Sequence, residues 1–246
     1  MSTTGEYLLV NGYCPICEDN TVFRSNDAWL RDHFFCERCT SIPRERSLMY
    51  VVNLLYPEWR SLRIHECSPA DRGASRKMRL ECPGYVASHF DPNIAFGTQH
   101  PDGYYQSEDL EHQTFTDESF DLVITQDVFE HLFRPDLAIR EIARTLSAGG
   151  AHICTVPLVN REKPSQRRAR LIEGKLIHEL PPVYHGNPIS DDGSLVTVDW
   201  GFDISDYFDQ ASGLGTTIFF LDDLRFGLRA QLLEVLVSRK LLQIQI

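Results

Sequence analysis

A β-α-β pattern at residues 117–157 constrains the fold of this chain more than any other feature of its sequence. Residues 120–125 form a short apolar run rich in β-branched side chains, which is typical of a buried parallel strand. Apolar residues then recur at helical spacing over 137–146, and residues 151–156 form a second strand-like run. The pattern predicts an open α/β sheet, in which ligands bind at the carboxyl ends of the strands.

Polar residues follow the first of these strands directly. Gln126 and Asp127 come at its end, and Glu130 and His131 come shortly after. Their position predicts a site at this edge of the sheet. Further along, the pair Gly149-Gly150 predicts the end of the helix, because the left-handed C-cap position favours glycine.

Four of the seven cysteines form two Cys-x-x-Cys pairs, Cys14 with Cys17 and Cys36 with Cys39. This spacing, with a short hairpin between the pairs, predicts a tetrahedral site of four thiolates. Zn²⁺ is the expected metal, and an iron–sulfur centre is the alternative. Because four thiolates complete the coordination, we expect a structural role, in which the metal stabilises a segment too small to fold alone.

Composition limits the classes of function. The 246 residues suffice for one large domain or for a domain with a small module. The net charge of -11 repels phosphate backbones, so nucleic acid is not the expected partner. The chain has no apolar run of membrane-spanning length, and its start lacks the features of a signal peptide. We therefore expect a cytoplasmic protein.

The region before this unit predicts the start of the sheet. Residues 62–67 are the best candidate for the first strand, and residues 85–89 for the second. The loop at 68–75 contains only Gly73, whereas a dinucleotide-binding loop would carry G-x-G-x-x-G. This argues against NAD and ATP, although Ser68 and Ala70 are small enough to let a ligand approach the backbone.

Residues 62–240 together resemble the class I S-adenosylmethionine-dependent methyltransferases, of the methyltransferase type 11-like kind. The subgroup with an N-terminal Cys-x-x-Cys zinc ribbon is the most similar, and is often linked to polysaccharide or secondary-metabolite pathways. The resemblance implies an α/β fold: a Rossmann-like seven-stranded methyltransferase sheet with a small N-terminal zinc ribbon. The residues that carry it are Asp117, Phe120, Asp121, Leu122, Val123, Gln126, Asp127, Val128, Phe129, Glu130, His131, Pro135, Glu141, Leu146, Gly149 and Gly150.

The resemblance also implies that S-adenosylmethionine binds across the ends of the first, second and fourth strands. Glu66 matches the acidic residue of the first-strand motif, and Ser68 and Ala70 stand where the family has glycines. Gln126 and Asp127 match the residues beside the methionine portion and the substrate. The positions assigned to the cofactor are Glu66, Ser68, Ala70, Ser88, Asp109, Leu110, Gln126 and Asp127.

An insertion at residues 159–201 is expected to shape the substrate pocket. Its basic stretch at 160–175 includes Arg168, which could contact an anionic substrate or belong to a solvated charged loop. Tyr184 and His185 are the other candidate substrate residues. His185, His131 and Asp127 are the candidate catalytic bases. The alternatives are a turn for His185, a structural hydrogen-bond partner for His131, and substrate binding for Asp127.

We expect a zinc ribbon at 1–42, a linker helix within 43–60 that covers the ligand cleft, and a methyltransferase-like domain at 61–246. The leading hypothesis is methyl transfer to oxygen or nitrogen of a small polar metabolite, with a homodimer also considered. The altered first loop leaves a cofactor-binding pseudoenzyme or scaffold as the alternative. An RNA methyltransferase that grips RNA through the ribbon is the third hypothesis.

Overall fold

The computed structural model describes residues 7–101, 103–187 and 190–241. Its N-terminal part is an antiparallel sheet of three strands, β1 (Leu8–Cys14), β2 (Asp19–Ser25) and β3 (Phe35–Cys36). A short helix, α1 (Leu30–His33), lies between β2 and β3. The β1–β2 hairpin carries the first cysteine pair at its closed end, and β2 and α1 lie between the two pairs.

Seven further strands form the main sheet, and six short ones lie in the insertion. The remaining strands in chain order are β4 (Ile64–Cys67), β5 (Tyr85–His89), β6 (Tyr105–Ser107), β7 (Phe120–Gln126), β8 (Leu146–Thr155), β9 (Gln166–Arg167), β10 (Ala169–Ile172), β11 (Lys175–His178), β12 (Tyr184–Asn187), β13 (Ser190–Leu195), β14 (Val198–Asp199), β15 (Gly215–Phe219) and β16 (Val235–Arg239). In the insertion β9 pairs with β14, β10 with β11, and β12 with β13.

The main sheet has the order β6-β5-β4-β7-β8-β16-β15. Its pairs are parallel except for those of β16, which runs antiparallel to both neighbours. This confirms the fold class. The β5 bounds agree with the sequence prediction, and β4 begins two residues later than expected.

Helices cover both faces of this sheet. The remaining helices are α2 (Pro43–Leu55), α3 (Gly73–Glu81), α4 (Pro135–Thr145) and α5 (Ile204–Ser212), with single 3₁₀ turns at Trp59–Ser61, Phe129–His131 and Leu224–Phe226. Side chains alternate along β7, so Leu122 and Ile124 pack with α2, α3 and the N-terminal sheet, whereas Val123 packs with α4 and α5. In the described ranges, no helix has the length and apolar character needed to cross a membrane.

The end of α4 corrects one sequence prediction. The helix stops at Thr145, and Leu146 is already extended, so Gly149-Gly150 does not form its cap. Gly149 has φ +80° and lies within β8, where its N–H donates to the carbonyl of Lys240 at 3.1 Å. A Cβ at Gly150 would lie 2.8 Å from the carbonyl oxygen of Asp121. Gly150 is therefore needed for the close approach of β7, and Gly149 for its left-handed backbone conformation.

The N-terminal sheet, α2 and one face of the main sheet share a single hydrophobic core. Phe23 and Phe34 of the N-terminal part pack in the same cluster as Leu48 of α2 and Ile64 of β4. The helix expected within 43–60 is α2, and it packs directly on the sheet. The domain boundaries at 42/43 and 60/61 remain predictions.

Candidate active site

A hydrogen-bond network around Glu66 joins the carboxyl ends of β4 and β7. The buried carboxylate accepts hydrogen bonds from Ser75 Oγ at 2.7 Å, Tyr85 OH at 2.8 Å and Gln126 Nε2 at 2.8 Å. Burial raises the pKa of Glu66 above its ordinary value, against the opposing effect of these three donors. Both carboxylate oxygens have partners, so the network fixes the two strand ends relative to each other.

The loop after β4 adopts a glycine-like conformation without the glycines. Ser68 has φ +55°, and its N–H donates to the carbonyl of Ser88 at 2.7 Å. Gly73 also has φ +55°, and a Cβ there would collide with the carboxylate of Glu45. Ala70 is half-buried between them. The loop thus keeps its one glycine where another element of the chain packs against it.

The end of β5 presents little polar surface to the cleft. Ser88 is buried and its hydroxyl is 2.8 Å from Nε2 of His65, so the side chain lies in the interior. The assignment of Ser88 to the cofactor remains a prediction. His89 is also buried, and burial lowers its pKa to about 4.

Two residues after β6, Asp109 and Leu110, are assigned to the cofactor from the sequence, and they lie in different surroundings. The Asp109 side chain is 24% exposed, and its carboxylate accepts a hydrogen bond from the N–H of Glu111 at 2.9 Å. Leu110 is buried in the core with α4. Asp109 is therefore the member of the pair that presents a polar group to a ligand.

Asp127 is held by two arginines that the sequence did not single out. Its Oδ2 lies 2.7 Å from Nη2 of Arg31 in α1 and 3.3 Å from Nε of Arg44 in α2, while Oδ1 accepts from Thr155 Oγ1 at 3.0 Å. Burial raises the pKa of Asp127, but the two guanidinium groups outweigh this and hold the pKa below its ordinary value. The carboxylate is ionised at neutral pH and anchors both N-terminal helices to the end of β7.

One sequence pattern marks the contact between Arg44 and Asp127. Arg44 and Glu45 are charged residues at the start of a helix whose later positions are mainly apolar. Glu45 is buried and caps α2 by accepting from the N–H of Ile42 at 3.0 Å. No comparable pattern marks Arg31, because its contact with Asp127 depends on how the N-terminal sheet packs.

The 3₁₀ turn after β7 meets the insertion. Glu130 Oε1 lies 3.7 Å from Nε2 of His131 and 3.6 Å from Nδ1 of His185 in β12. The two imidazole rings are perpendicular, with centroids 5.1 Å apart. The carboxylate raises the pKa of His185 above its ordinary value. The structure therefore brings together two candidate catalytic histidines that are far apart in the sequence.

Backbone contacts fix the insertion on this turn. The N–H of Thr197 donates to the carbonyl of Glu130 at 2.7 Å, and its hydroxyl donates to the carbonyl of Leu132 at 2.6 Å. Nδ1 of His131 lies 2.9 Å from the carbonyl oxygen of Leu195. The insertion is thus fastened to the strand-end edge by its residues 195–197.

The predicted substrate residues of the insertion differ in availability. Arg168 donates to Asp199 at 2.5 Å and to the carbonyl of Pro181 at 2.6 Å, so its guanidinium holds the insertion together. Neighbouring basic side chains have similar partners: Arg161 pairs with Glu234, Arg167 donates to the carbonyls of Leu132 and Phe133, and Arg170 pairs with Glu179. In contrast, Tyr184 is exposed and His185 is partly exposed.

Residues 90–154, which run from the end of β5 to the end of β8, match the family model described as a methyltransferase domain. This segment contains Asp109, Gln126 and Asp127, and it lies in a sheet of seven strands, the number that the family resemblance implies. The chain is similar to the methyltransferases over this segment and has their Rossmann-like fold.

Solved structures of methyltransferases share the fold of this chain. An S-adenosylmethionine-dependent methyltransferase from Mesorhizobium loti is 14% identical, with a TM-score of 0.52 over 78% of this chain and 97% of its own. A chain from the complex of the Trm112 methyltransferase activator with a methyltransferase, from Haloferax volcanii, is 15% identical, with a TM-score of 0.51 over 82% and 92%. CalS10, an amino pentose methyltransferase from Micromonospora echinaspora, is 12% identical, with a TM-score of 0.51 over 80% and 91%.

A cavity of about 500 Å³ opens at the strand-end edge of the methyltransferase. It lies between the N-terminal sheet, the start of the insertion and the segment that leads into β16, which begins opposite Thr155 at the end of β8. Arg31 is not among its lining residues, but this side chain donates to the carbonyl of Leu232, which precedes the lining residue Leu233. A second depression, over α4, is lined by Glu111, Arg140 and Arg144 and lies away from the strand-end residues described above.

The four cysteines of the methyltransferase converge as their spacing predicts. Sγ of Cys14 lies 3.8 Å from that of Cys39, and Sγ of Cys17 lies 3.8 Å from that of Cys36. All four sulfur atoms lie within 4.8 Å of one another. Four sulfurs each about 2.3 Å from a central zinc ion are separated by about 3.8 Å, so the arrangement fits tetrahedral coordination.

A buried arginine lies beside this cluster. Arg46 donates to the carbonyls of Phe34 at 2.8 Å and Gly227 at 2.9 Å, and its guanidinium stacks 4.6 Å from the ring centre of Phe23. Within the described ranges no carboxylate lies at ion-pair distance from Arg46. A metal bound by four thiolates carries net negative charge, which would compensate this buried cation.

Proposed function

We propose that this methyltransferase transfers a methyl group to a hydroxyl or amine of a small polar metabolite. The cavity at the strand-end edge supports the proposal, because its volume of about 500 Å³ is that of a small-molecule site. Arg31 extends from Asp127 at the end of β7 to the carbonyl of Leu232, which precedes the cavity residue Leu233. The neighbour CalS10 acts on an amino pentose, which is an acceptor of this chemical class.

We place the cofactor across the ends of β4, β5 and β7. When bound, S-adenosylmethionine supplies an electrophilic methyl group on a sulfonium. The chain's own contribution is a rigid edge: Glu66 and Gln126 hold the strand ends, and Ser68 and Ala70 leave the loop backbone accessible. Asp109 supplies a carboxylate at the end of β6 for a donor on the ligand.

Methyl transfer is an in-line displacement, so alignment of the acceptor contributes more than proton removal when the acceptor is already reactive. Asp127 is committed to Arg31 and Arg44, which favours an anchoring role. The assignment of His185, His131 and Asp127 as catalytic bases remains a prediction.

We also propose that Cys14, Cys17, Cys36 and Cys39 bind a structural zinc ion. The sulfur separations and the buried charge of Arg46 support this over two separate redox-active pairs. Four sulfur ligands leave no open position, so the ion stabilises the N-terminal sheet and takes no part in methyl transfer.

The decisive experiment supplies the protein with S-adenosylmethionine labelled in its methyl group, together with a cell extract separated into small-molecule and RNA fractions. We expect label to enter the small-molecule fraction only. Label in RNA, accompanied by strongly salt-dependent RNA binding, would support the RNA methyltransferase instead.

The pseudoenzyme is the second candidate, because the loop after β4 lacks its glycines. Titration calorimetry separates it from an enzyme. Cofactor binding with no turnover on any fraction supports a scaffold, and no binding at millimolar cofactor contradicts both hypotheses. A cytoplasmic location and a homodimer remain predictions.

A further inference from the structure

Three potential metal ligands meet beyond the cofactor edge. Glu130 and His131 come from the 3₁₀ turn after β7, and His185 comes from β12 of the insertion. One ligand atom of each lies within 4.8 Å of the others. The three residues share no sequence spacing that would mark them as a site, since His185 is contributed by a separate element.

The carboxylate of Glu130 is buried, and the imidazoles of His131 and His185 lie at ion-pair distance from it. The Glu130 side chain is 2% exposed, and neither carboxylate oxygen has a hydrogen-bond donor in the part of the chain that the structure describes. Burying an ionised carboxylate is costly unless a cation or several donors compensate it. The backbone carbonyl of Glu130 already accepts from the N–H of Thr197, so that donor is not available to the carboxylate.

The hydrogen bond made by His131 shows which of its ring nitrogens can bind a cation. Its Nδ1 lies 2.9 Å from the carbonyl oxygen of Leu195, which can only accept, so Nδ1 carries the proton. In the neutral ring Nε2 then presents its lone pair, and this atom is the one that faces Glu130 at 3.7 Å. A backbone carbonyl that fixes the tautomer in this way is the usual support of a metal-ligating histidine.

The separations also fit a shared ion. The histidine nitrogens lie 3.6 and 3.7 Å from Oε1 of Glu130, which is too long for hydrogen bonds. Two ligands each about 2.1 Å from one ion lie about 3.4 Å apart at tetrahedral angles, so only a small movement is needed.

We propose that Glu130, His131 and His185 bind a divalent transition-metal ion. Two imidazoles and one carboxylate suit Zn²⁺, Co²⁺ and Fe²⁺ better than Mg²⁺ or Ca²⁺. His185 is 43% exposed, so the site is open on that side and leaves coordination positions for water or another ligand. The ion connects the β12 hairpin to the end of β7, in addition to the backbone contacts of residues 195–197.

The test uses the full-length chain with its cysteine site loaded with zinc, titrated with Co²⁺ and followed by visible absorption and metal analysis. We expect one Co²⁺ ion per chain beyond the zinc, with no thiolate-to-cobalt charge-transfer band. Glu130→Gln and His185→Gln are each expected to weaken this binding at least about tenfold. The absence of a second ion, or unchanged affinity in Glu130→Gln, overturns the proposal.

His178→Gln is the matched control, because it makes the same substitution at an exposed histidine of the same insertion. It should bind Co²⁺ as the wild type does, and an equal loss there would contradict a specific site. If Glu130→Gln fails to fold, His185→Gln still decides, since it alters a partly exposed ring; its thermal unfolding must match the wild type. Binding is measured without cofactor or acceptor, so this result is independent of the proposed methyl transfer.

Discussion

The N-terminal cysteine sheet and the strand-end edge of the main sheet both gather polar side chains, but by different means. The cysteine sheet brings together four identical ligands from two local turns, with the hydroxyls of Thr21 and Ser41 beside the sulfur atoms. The strand-end edge collects Glu66, Asp127 and Glu130 with partners from β5, α1, α2 and the insertion. The first region is closed and the second remains open toward a cavity and the solvent.

This difference predicts how substitutions in each region affect folding and ligand binding. A closed tetrathiolate site contributes stability through one set of bonds, so the loss of any ligand affects the fold. The open edge distributes its interactions over many elements, so a single change there should affect ligand binding more than folding. Asp127 lies at the open edge and also contributes to folding, because it forms an ion pair with Arg31 of the N-terminal part.

The largest effect is expected from Cys36→Ser in the cysteine cluster. Structural zinc sites contribute roughly 10–16 kcal/mol of binding free energy in small peptides, so the loss of one ligand should remove several kcal/mol of stability. Zinc content and thermal unfolding measure it. Cys82→Ser is the control, because Cys82 is buried elsewhere, with its thiol 3.2 Å from the carbonyl of Leu62. Equal zinc content in Cys36→Ser and the wild type would contradict the closed site.

The second effect is expected from Asp127→Asn, which tests the connection between the two regions. The change leaves Arg31 and Arg44 without their shared anion, and breaking such a pair costs about 3 kcal/mol. Urea unfolding measures the loss. Asp121→Asn is matched, because its partner Arg63 is 51% exposed at the opposite end of the same strand, and we expect about 1 kcal/mol or less. Equal losses would show that Asp127 is not a special anchor.

The ion pairs of Asp127 also predict that the free energy of unfolding depends on pH in the acid range. The folded-state pKa of Asp127 is lowered, so its contribution is present above the unfolded value of about 4 and is lost as the pH falls through the folded pKa. The stability difference between wild type and Asp127→Asn should therefore shrink below about pH 4. A difference that stays constant down to pH 2 would contradict the ion pair.

A smaller effect is expected from Glu66→Gln at the open edge. One carboxylate oxygen becomes a donor that opposes Tyr85 or Gln126, which costs about 1–3 kcal/mol and should weaken cofactor binding about tenfold. Titration calorimetry with S-adenosylmethionine measures it. Tyr85→Phe removes one donor and should weaken binding less. An unchanged dissociation constant in Glu66→Gln would remove the network from the cofactor site.

The smallest effect is expected from Ser68→Gly in the first loop. Because Ser68 already has φ +55°, glycine should relieve strain and raise stability by about 1 kcal/mol or less, with little change in cofactor affinity. Urea unfolding and calorimetry check both, with Ser68→Ala retaining the Cβ. A large gain in affinity would mean that the serine side chain obstructs the cofactor.

The sequence by itself determined the elements and the cysteine site. The apolar run of β7, the bounds of β5 and the helix α2 follow from periodicity and capping over a few neighbouring residues. Two Cys-x-x-Cys turns likewise specify four ligands locally. These signals are short-range, so they can be read before the chain is folded.

Only the tertiary structure decided which side chains share the edge. Arg31 and Asp127 are 96 positions apart, and His185 meets Glu130 because the insertion folds back on the end of β7. Ser88 points into the interior, and Gly150 serves strand packing, because the neighbouring strands occupy the space around them. Such contacts depend on the assembled sheet, since burial and partner choice are properties of the packed molecule and not of local sequence.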